Sequence, residues 1–256
     1  MRTILKLAIA CALLLPLGPG MERVMAADQP SANDKPALVV VELFTSQGCS
    51  SCPPADALLT RLAQRDGILA LGFHVDYWDY IGWKDPFSDP AYTQRQRDYA
   101  GMMSGRYVYT PQIVVQGAWE SVGTDEALLE TRINKARNLP RVTLDLAYDK
   151  AANVVTLSLP QTATMESHAV WLALYDEEHT TKILRGENGG RTLTYSHVVR
   201  SLRRLGNWQG EAMAIPIELS AMGVKPDEAY ACAVLLQSRE TGRILGAANL
   251  ELPAGR

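Results

Sequence analysis

The spacing of apolar and polar residues changes near residue 139 of this 256-residue chain. Before that point, apolar runs at 38–44, 68–75 and 113–115 alternate with segments whose apolar residues recur every three or four positions. Such runs are typical of buried strands, and such segments are typical of amphipathic helices. The alternation predicts an α/β domain over residues 37–139, with helices on both faces of a sheet.

From residue 140 onwards, apolar positions alternate with a period of two, which indicates strands with one buried face. These positions cluster near residues 142–146, 155–159, 170–174, 213–219 and 230–236. Short strands separated by turn signals are typical of an antiparallel sandwich. We therefore predict an all-β, sandwich-like second domain over residues 140–256.

The first 36 residues predict export and no folded element. Arg2 and Lys6 precede an apolar run at 7–17, and small residues at 24–26 offer a cleavage site, so residues 1–26 are typical of a signal peptide. The apolar run is too short to span a bilayer. Residues 27–36 are polar and predict a flexible leader. We expect a periplasmic or secreted protein with no membrane span after cleavage, in a compartment where disulfides persist.

Composition narrows the classes of partner. The formal net charge of −3 gives no reason to expect a nucleic acid as partner. The glycine-rich stretch at 186–190 lacks the strand-then-helix setting of a phosphate loop, and no flavin or nucleotide motif is visible. We expect no bound cofactor and no resident metal.

The strongest chemical signal is the pair Cys49 and Cys52, which follows a predicted strand and precedes a predicted helix. The free N–H groups and positive dipole end of a helix stabilise a thiolate, which is the reactive form of cysteine. A redox pair, an inert disulfide and a metal site all remain open. A ring this small constrains the unfolded chain little, which weakens the purely structural interpretation. His74 could complete a copper or zinc site with the two thiolates, or simply end its strand in a backbone hydrogen bond.

Two further features accompany the cysteines. Glu42 interrupts an apolar strand, where burial would raise its pKa and suit it to exchange protons with a thiol. The alternative is a glutamate that reaches solvent or pairs with a basic residue. Thr110-Pro111 precedes the third apolar run, and we expect its peptide bond to be cis, the alternative being an ordinary trans proline.

The loop at 76–88 is longer and more aromatic than a connection requires, which is common in functional loops. Trp78 and Trp83 either roof the cysteines and bind a substrate protein or pack against the second domain.

On these motifs, residues 37–138 resemble the thioredoxin superfamily, although Gly48 stands where thioredoxins carry tryptophan and Ser50-Ser51 replaces their Gly-Pro. The resemblance implies that Cys49 is the nucleophile and Cys52 the resolving thiol. It also implies that Glu42 is the buried acid and that Thr110-Pro111 is the cis-proline facing the disulfide.

Most of the mature chain also resembles a family of exported bacterial proteins without an established activity. The turn at 47–54 and the segment at 73–76 carry this second likeness. We therefore expect an exported thiol-disulfide oxidoreductase that acts on protein or small-thiol disulfides and exchanges electrons with a redox partner protein. The alternative is a non-enzymatic copper-binding or partner-binding module with a structural disulfide.

Overall fold

A computed structural model describes residues 37–103, 105, 107–164, 166–222 and 231–252 of the chain. The predicted signal peptide and leader lie outside these residues. The described elements are the strands β1 (Val39–Thr45), β2 (Ile68–His74), β3 (Gln112–Val115), β4 (Trp119–Val122), β5 (Asp145–Asp149), β6 (Val154–Leu159), β7 (His168–Lys182), β8 (Thr192–Trp208), β9 (Met213–Glu218), β10 (Ala231–Ser238) and β11 (Ile244–Glu251), and the helices α1 (Pro53–Ala63), α2 (Pro90–Met102) and α3 (Glu126–Arg137).

One mixed sheet runs through both parts of the sequence. Its eight strands follow the order β11-β10-β7-β8-β2-β1-β3-β4, and β5, β6 and β9 form a separate three-stranded sheet. The junction is the parallel pairing of β2 with β8 at Gly72 and Val198. The predicted fold class, an α/β thioredoxin-like domain followed by a β-sandwich, is therefore wrong: the described residues form eleven strands and only three α-helices, and strands from both sides of residue 140 share one sheet.

Periodicity misses β8, the strand that joins the two parts. β7 and β8 form a long antiparallel hairpin whose register shifts at Val170/Trp171 and Leu174/Tyr175. His197 in β8 has a positive φ of 51°, and the residues after it, Val198 and Val199, are both buried. A β-bulge moves side chains to the opposite face and breaks the period of two. The pattern of β8 therefore contains no regular alternation to detect.

The helices of the first part lie on opposite faces of the large sheet. Val39, Val41 and Leu43 of β1 pack with the inner faces of α1 and α3. The alternate positions, Val40 and Phe44, pack in the cluster that contains α2. Because strand side chains alternate between faces, each residue of β1 is committed to one helix layer or the other. This division decides which buried groups lie near the turn before α1.

The three-stranded sheet covers part of the large sheet. Apolar side chains of β6 and β9 pack with those of β7 and β10 in a separate core cluster. The free Cys232 of β10 lies in this cluster, where burial raises the pKa of its thiol to about 12. An apolar, desolvated thiol is a poor nucleophile, so Cys232 serves as packing. No helix among the described residues is both long and apolar enough to cross a membrane.

Candidate redox site

Cys49 and Cys52 form a disulfide in the turn between β1 and α1, with their Cα atoms 5.4 Å apart. Cys52 is the N-cap of α1, and its carbonyl accepts hydrogen bonds from the N–H groups of Ala55 and Asp56. Two prolines occupy the first turn of the helix, where a missing N–H costs little. The hydroxyl of Ser51 lies 3.3 Å from the Cys49 sulfur. On reduction, a thiolate at Cys49 would meet this hydroxyl and the positive end of the helix.

The Thr110–Pro111 peptide bond is cis, as predicted. A methyl group placed on Gly123 would come within 2.9 Å of Ala55 Cβ and 3.0 Å of Pro111 Cβ. Gly123 therefore lies between Pro111 and the first turn of α1, which brings the proline to the same end of the sheet as the disulfide. The hydroxyl of Thr110 accepts a hydrogen bond of 2.8 Å from the indole of Trp78.

Both predicted tryptophans flank the disulfide turn. Trp78 is half-buried, and its Cβ lies 3.0 Å from where a Cβ on Gly48 would be, so no larger residue fits there without a shift. Trp83 donates a hydrogen bond of 2.9 Å from its indole N–H to the side chain of Gln47. Its opposite neighbour is Gly186, at the tip of the β7–β8 hairpin. Trp78 thus lies between the cysteine turn and Thr110, and Trp83 lies between the turn and the hairpin tip. Their role in substrate binding stays a prediction.

Glu42 does not lie where the resemblance implies. Its carboxylate is fully buried in an ion pair of 2.7 Å with Arg95 of α2 and accepts a hydrogen bond from the hydroxyl of Tyr99. Glu42 alternates with Val40 and Phe44, so it faces α2, whereas α1 and its cysteine turn lie on the other face. The alternative interpretation, a glutamate paired with a basic residue, describes this position.

Asp56 is a buried acid on the cysteine side of the sheet. It lies one helical turn after Cys52, and residues four apart share a helix face. Its Oδ1 accepts a hydrogen bond of 2.7 Å from Thr45, while its Oδ2 is buried without a hydrogen-bond partner. Burial raises the pKa of this carboxyl to about 7, against a smaller opposing effect of His74. Asp56 also lines a cavity of about 360 Å³ between the start of α1 and residues 191–194.

A buried ion pair adjoins Asp56. His74 Nδ1 lies 2.7 Å from Asp85 Oδ2, and both side chains are almost completely buried. Burial alone would lower the pKa of His74, but the Asp85 carboxylate outweighs it and raises that pKa. The contact with His74 lowers the pKa of Asp85 in spite of burial, and so do the hydrogen bonds that Asp85 accepts from the N–H groups of Gln47 and Phe87. Each group therefore favours the charged form of the other.

The predicted copper or zinc alternative has little support from these contacts. His74 is engaged with Asp85 and not with a backbone carbonyl or the sulfurs. Among the residues that the structure describes, no group of three or more His, Cys, Asp and Glu side chains is arranged to hold a metal ion.

Comparison with known proteins places this geometry in a family. Residues 40–237 match the model of a family described as Protein of unknown function (DUF1223). The chain belongs to this family. The match covers both the disulfide turn and most of the second part. The family model therefore includes strands from both parts of the chain, and not from the first part alone. No curated protein matches the chain.

Two solved structures resemble this DUF1223 protein. One is the crystal structure of protein AGR_C_4864 from Agrobacterium tumefaciens, with 31% identity, a TM-score of 0.72, and coverage of 84% of this chain and 94% of that one. The other is HBP35 of Porphyromonas gingivalis, with 14% identity, a TM-score of 0.59, and coverage of 84% and 75%. At 14% identity the second likeness shows the fold alone.

Sequence reasoning missed two acids and one amide that lie near the cysteine turn of this DUF1223 protein. Asp56 carried a detectable signal, since it is a charged residue on the inner stripe of α1 beside Ala55 and Leu59. Asp85 and Asn188 carried none, because each reaches the turn from a loop distant in sequence.

Proposed function

We propose that this DUF1223 protein is an exported thiol-disulfide oxidoreductase whose Cys49–Cys52 pair works as a redox site of the thioredoxin-superfamily kind. The observation that carries the proposal is the position of the disulfide. It spans the N-terminus of α1, with Pro111 at the same end of the sheet and a buried acid, Asp56, one helical turn away. Export is proposed on the sequence of residues 1–26.

In the proposed reaction, the reduced protein transfers two electrons to a substrate disulfide. The Cys49 thiolate attacks one substrate sulfur, forming a mixed disulfide and releasing the other substrate sulfur as a thiolate. The Cys52 thiol then loses its proton, attacks Cys49, and releases the second substrate thiolate. The Cys49–Cys52 disulfide is restored, and a redox partner protein reduces it again. Run in reverse, the same steps oxidise a substrate dithiol.

Asp56 is proposed as the acceptor of the Cys52 proton, the role that the sequence suggested for Glu42. A pKa of about 7 suits a group that must both take up and release a proton near neutral pH. Its unpaired Oδ2 is free to accept that proton. The substrates in this proposal are protein or small-thiol disulfides, and no organic cofactor takes part.

The test is the redox equilibrium of the disulfide against glutathione. The protein without residues 1–26 and with Cys232→Ala, which leaves Cys49 and Cys52 as its two cysteines, is equilibrated in glutathione buffers, alkylated and weighed by mass spectrometry. An exchanging pair is expected between about −120 and −270 mV, whereas structural disulfides of secreted proteins lie below about −300 mV. A potential in the lower range would refute the proposal and favour a structural disulfide.

Single variants then separate the roles of the cysteines. Cys49→Ser is expected to abolish reduction of a model protein disulfide, and Cys52→Ser is expected to accumulate a mixed disulfide on Cys49. Equal activity of wild type and both variants would also refute the proposal.

A further inference from the structure

The disulfide is covered, although the residues between its cysteines are not. Cys49 and Cys52 have no exposed surface, while Ser50 and Ser51 are both exposed. Thiol-disulfide exchange requires direct contact between sulfur atoms. A protein substrate therefore cannot reach the disulfide until something near the turn moves.

The tip of the β7–β8 hairpin, residues 184–191, is held against the backbone of the cysteine turn. The side-chain amide of Asn188 donates two hydrogen bonds of 2.9 Å, to the carbonyls of Gln47 and Cys49. The carboxylate of Glu187 accepts a hydrogen bond of 3.1 Å from the N–H of Ser50. Arg191 donates to the amide oxygen of Asn188 at 2.8 Å and so fixes the orientation of that amide.

The hairpin tip provides the cysteine turn with hydrogen-bond partners of the kind that an extended peptide backbone would provide. Backbone N–H and C=O groups that are removed from water need partners. Here a side-chain amide provides two donors and a carboxylate provides one acceptor, for two carbonyls and one N–H of the cysteine turn. The backbone of an extended segment offers the same donors and acceptors, which is how strands are added to exposed backbone edges.

The tip is held in a way that permits release. Among residues 184–191 only Asn188 is buried, and all the others are exposed. Ile183, at the base of the tip, is fully buried and anchors it to the rest of the hairpin. Segments with few buried apolar contacts open at low free-energy cost, while the packed structure below them stays folded. Asn188 is therefore the residue that holds the tip closed, and its two hydrogen bonds to the cysteine turn are called the latch bonds below. The tip can move away from the turn without unfolding of the sheet.

We propose that the hairpin tip occupies the surface at which an extended segment of a substrate protein binds, and that this segment must displace the tip to reach Cys49. The substrate side of this inference rests on the proposed function. The covering of the disulfide by the tip does not, so the two parts can be tested separately.

The first experiment measures how fast a small phosphine, tris(2-carboxyethyl)phosphine, reduces the disulfide in the whole protein. Asn188→Ala removes both latch bonds and is expected to raise the rate about tenfold, which corresponds to about 1.4 kcal/mol in favour of the open tip. The matched control is Thr180→Ala, which removes a hydroxyl pair with Thr194 in the shaft of the same hairpin. A rate for Asn188→Ala equal to that of wild type and control would overturn the proposal.

The second experiment asks whether a bound substrate segment lifts the tip. A cysteine-containing unstructured peptide is joined to Cys49 in Cys52→Ser, and trypsin cleavage at Arg185 and Arg191 is followed by mass spectrometry. The peptide-loaded protein is expected to be cut about tenfold faster than the same variant joined to a single cysteine, because cleavage follows the population of the open form. Equal rates would overturn the shared surface.

A folding defect in Asn188→Ala would also speed reduction of the disulfide, so the fold and stability of this variant are compared with those of the control. Its far-UV circular dichroism and thermal midpoint are expected to match those of Thr180→Ala, because the buried Asn188 side chain bonds to the cysteine turn and to Arg191 and not to the sheet, while Thr180 is exposed. If the phosphine reacts faster with Asn188→Ala but no variant exchanges with any protein disulfide, the tip is a cover and the proposed function is wrong.

Discussion

Replacing Asp56 with asparagine tests whether a buried acid lies beside the cysteine turn. The carboxyl is 5% exposed, and burial raises its pKa from 3.8 to about 7. In the unfolded chain the same group ionises near its ordinary value. Between these two pH values the folded protein binds a proton that the unfolded chain has lost, so stability falls as the pH rises. Asparagine keeps the shape of the side chain and does not titrate.

The size of the effect follows from the two pKa values. At pH 5 the raised pKa reduces the free energy of unfolding by about 2 kcal/mol, and at pH 8 by about 4 kcal/mol. The free energy of unfolding of Asp56→Asn, relative to wild type, should therefore rise by about 2–3 kcal/mol between pH 5 and pH 8. The reference is the difference between variant and wild type at each pH, so the constant cost of the substitution cancels.

The assay is urea unfolding of the oxidised protein at pH 5, 6, 7 and 8, followed by circular dichroism. Asp66→Asn is the matched control, because Asp66 follows the same helix and is exposed. The trend of Asp56→Asn with pH is compared with that of this control. His74, Asp85, Thr45 and Tyr195 face Asp56 and remain in every variant. A difference between Asp56→Asn and wild type that is the same at pH 5 and pH 8 would refute the reasoning from burial.

Two further predictions concern the buried contacts of the sheet. Glu42→Gln leaves the Arg95 charge buried without its partner, and should lower the free energy of unfolding in urea by about 3–5 kcal/mol. It should leave the reduction potential of the disulfide within about 10 mV of wild type. A larger shift would indicate that Glu42 acts at the redox site. Gly123→Ala forces a methyl group between α1 and Pro111. It should cost about 1–3 kcal/mol by overpacking, and an unchanged thermal midpoint would contradict the close approach.

The local signals of the first part were read correctly because they depend on neighbours in sequence. Apolar runs located β1, β2 and β3, and Asp89 followed by Pro90 located the start of α2, where the Asp89 carboxylate accepts from the N–H of Ala91 at 2.8 Å. The cysteine pair was placed at a strand-to-helix turn for the same reason. Capping and periodicity act within one or two turns of chain, so a single sequence contains them.

Long-range pairing decided the rest. The join of β2 to β8 made one sheet of two predicted domains, and bulges in the hairpin hid β8 from any test of periodicity. Glu42 had an even chance of facing either layer, since alternation says which residues share a face but not which helix covers it. The Glu42 carboxylate pairs with Arg95 because α2 packs on that face.

The sequence by itself determined which chemical groups this protein carries: a cysteine pair at the start of a helix, a strand that begins after a proline, and an aromatic loop. The tertiary structure alone decided what surrounds that pair. Asn188 contacts the carbonyl of Gln47 across 141 residues, and Glu187 contacts Ser50 across 137. Burial, desolvation of Asp56 and the covering of the disulfide all arise from such distant contacts. They depend on the folded shape, and no local pattern of residues encodes them.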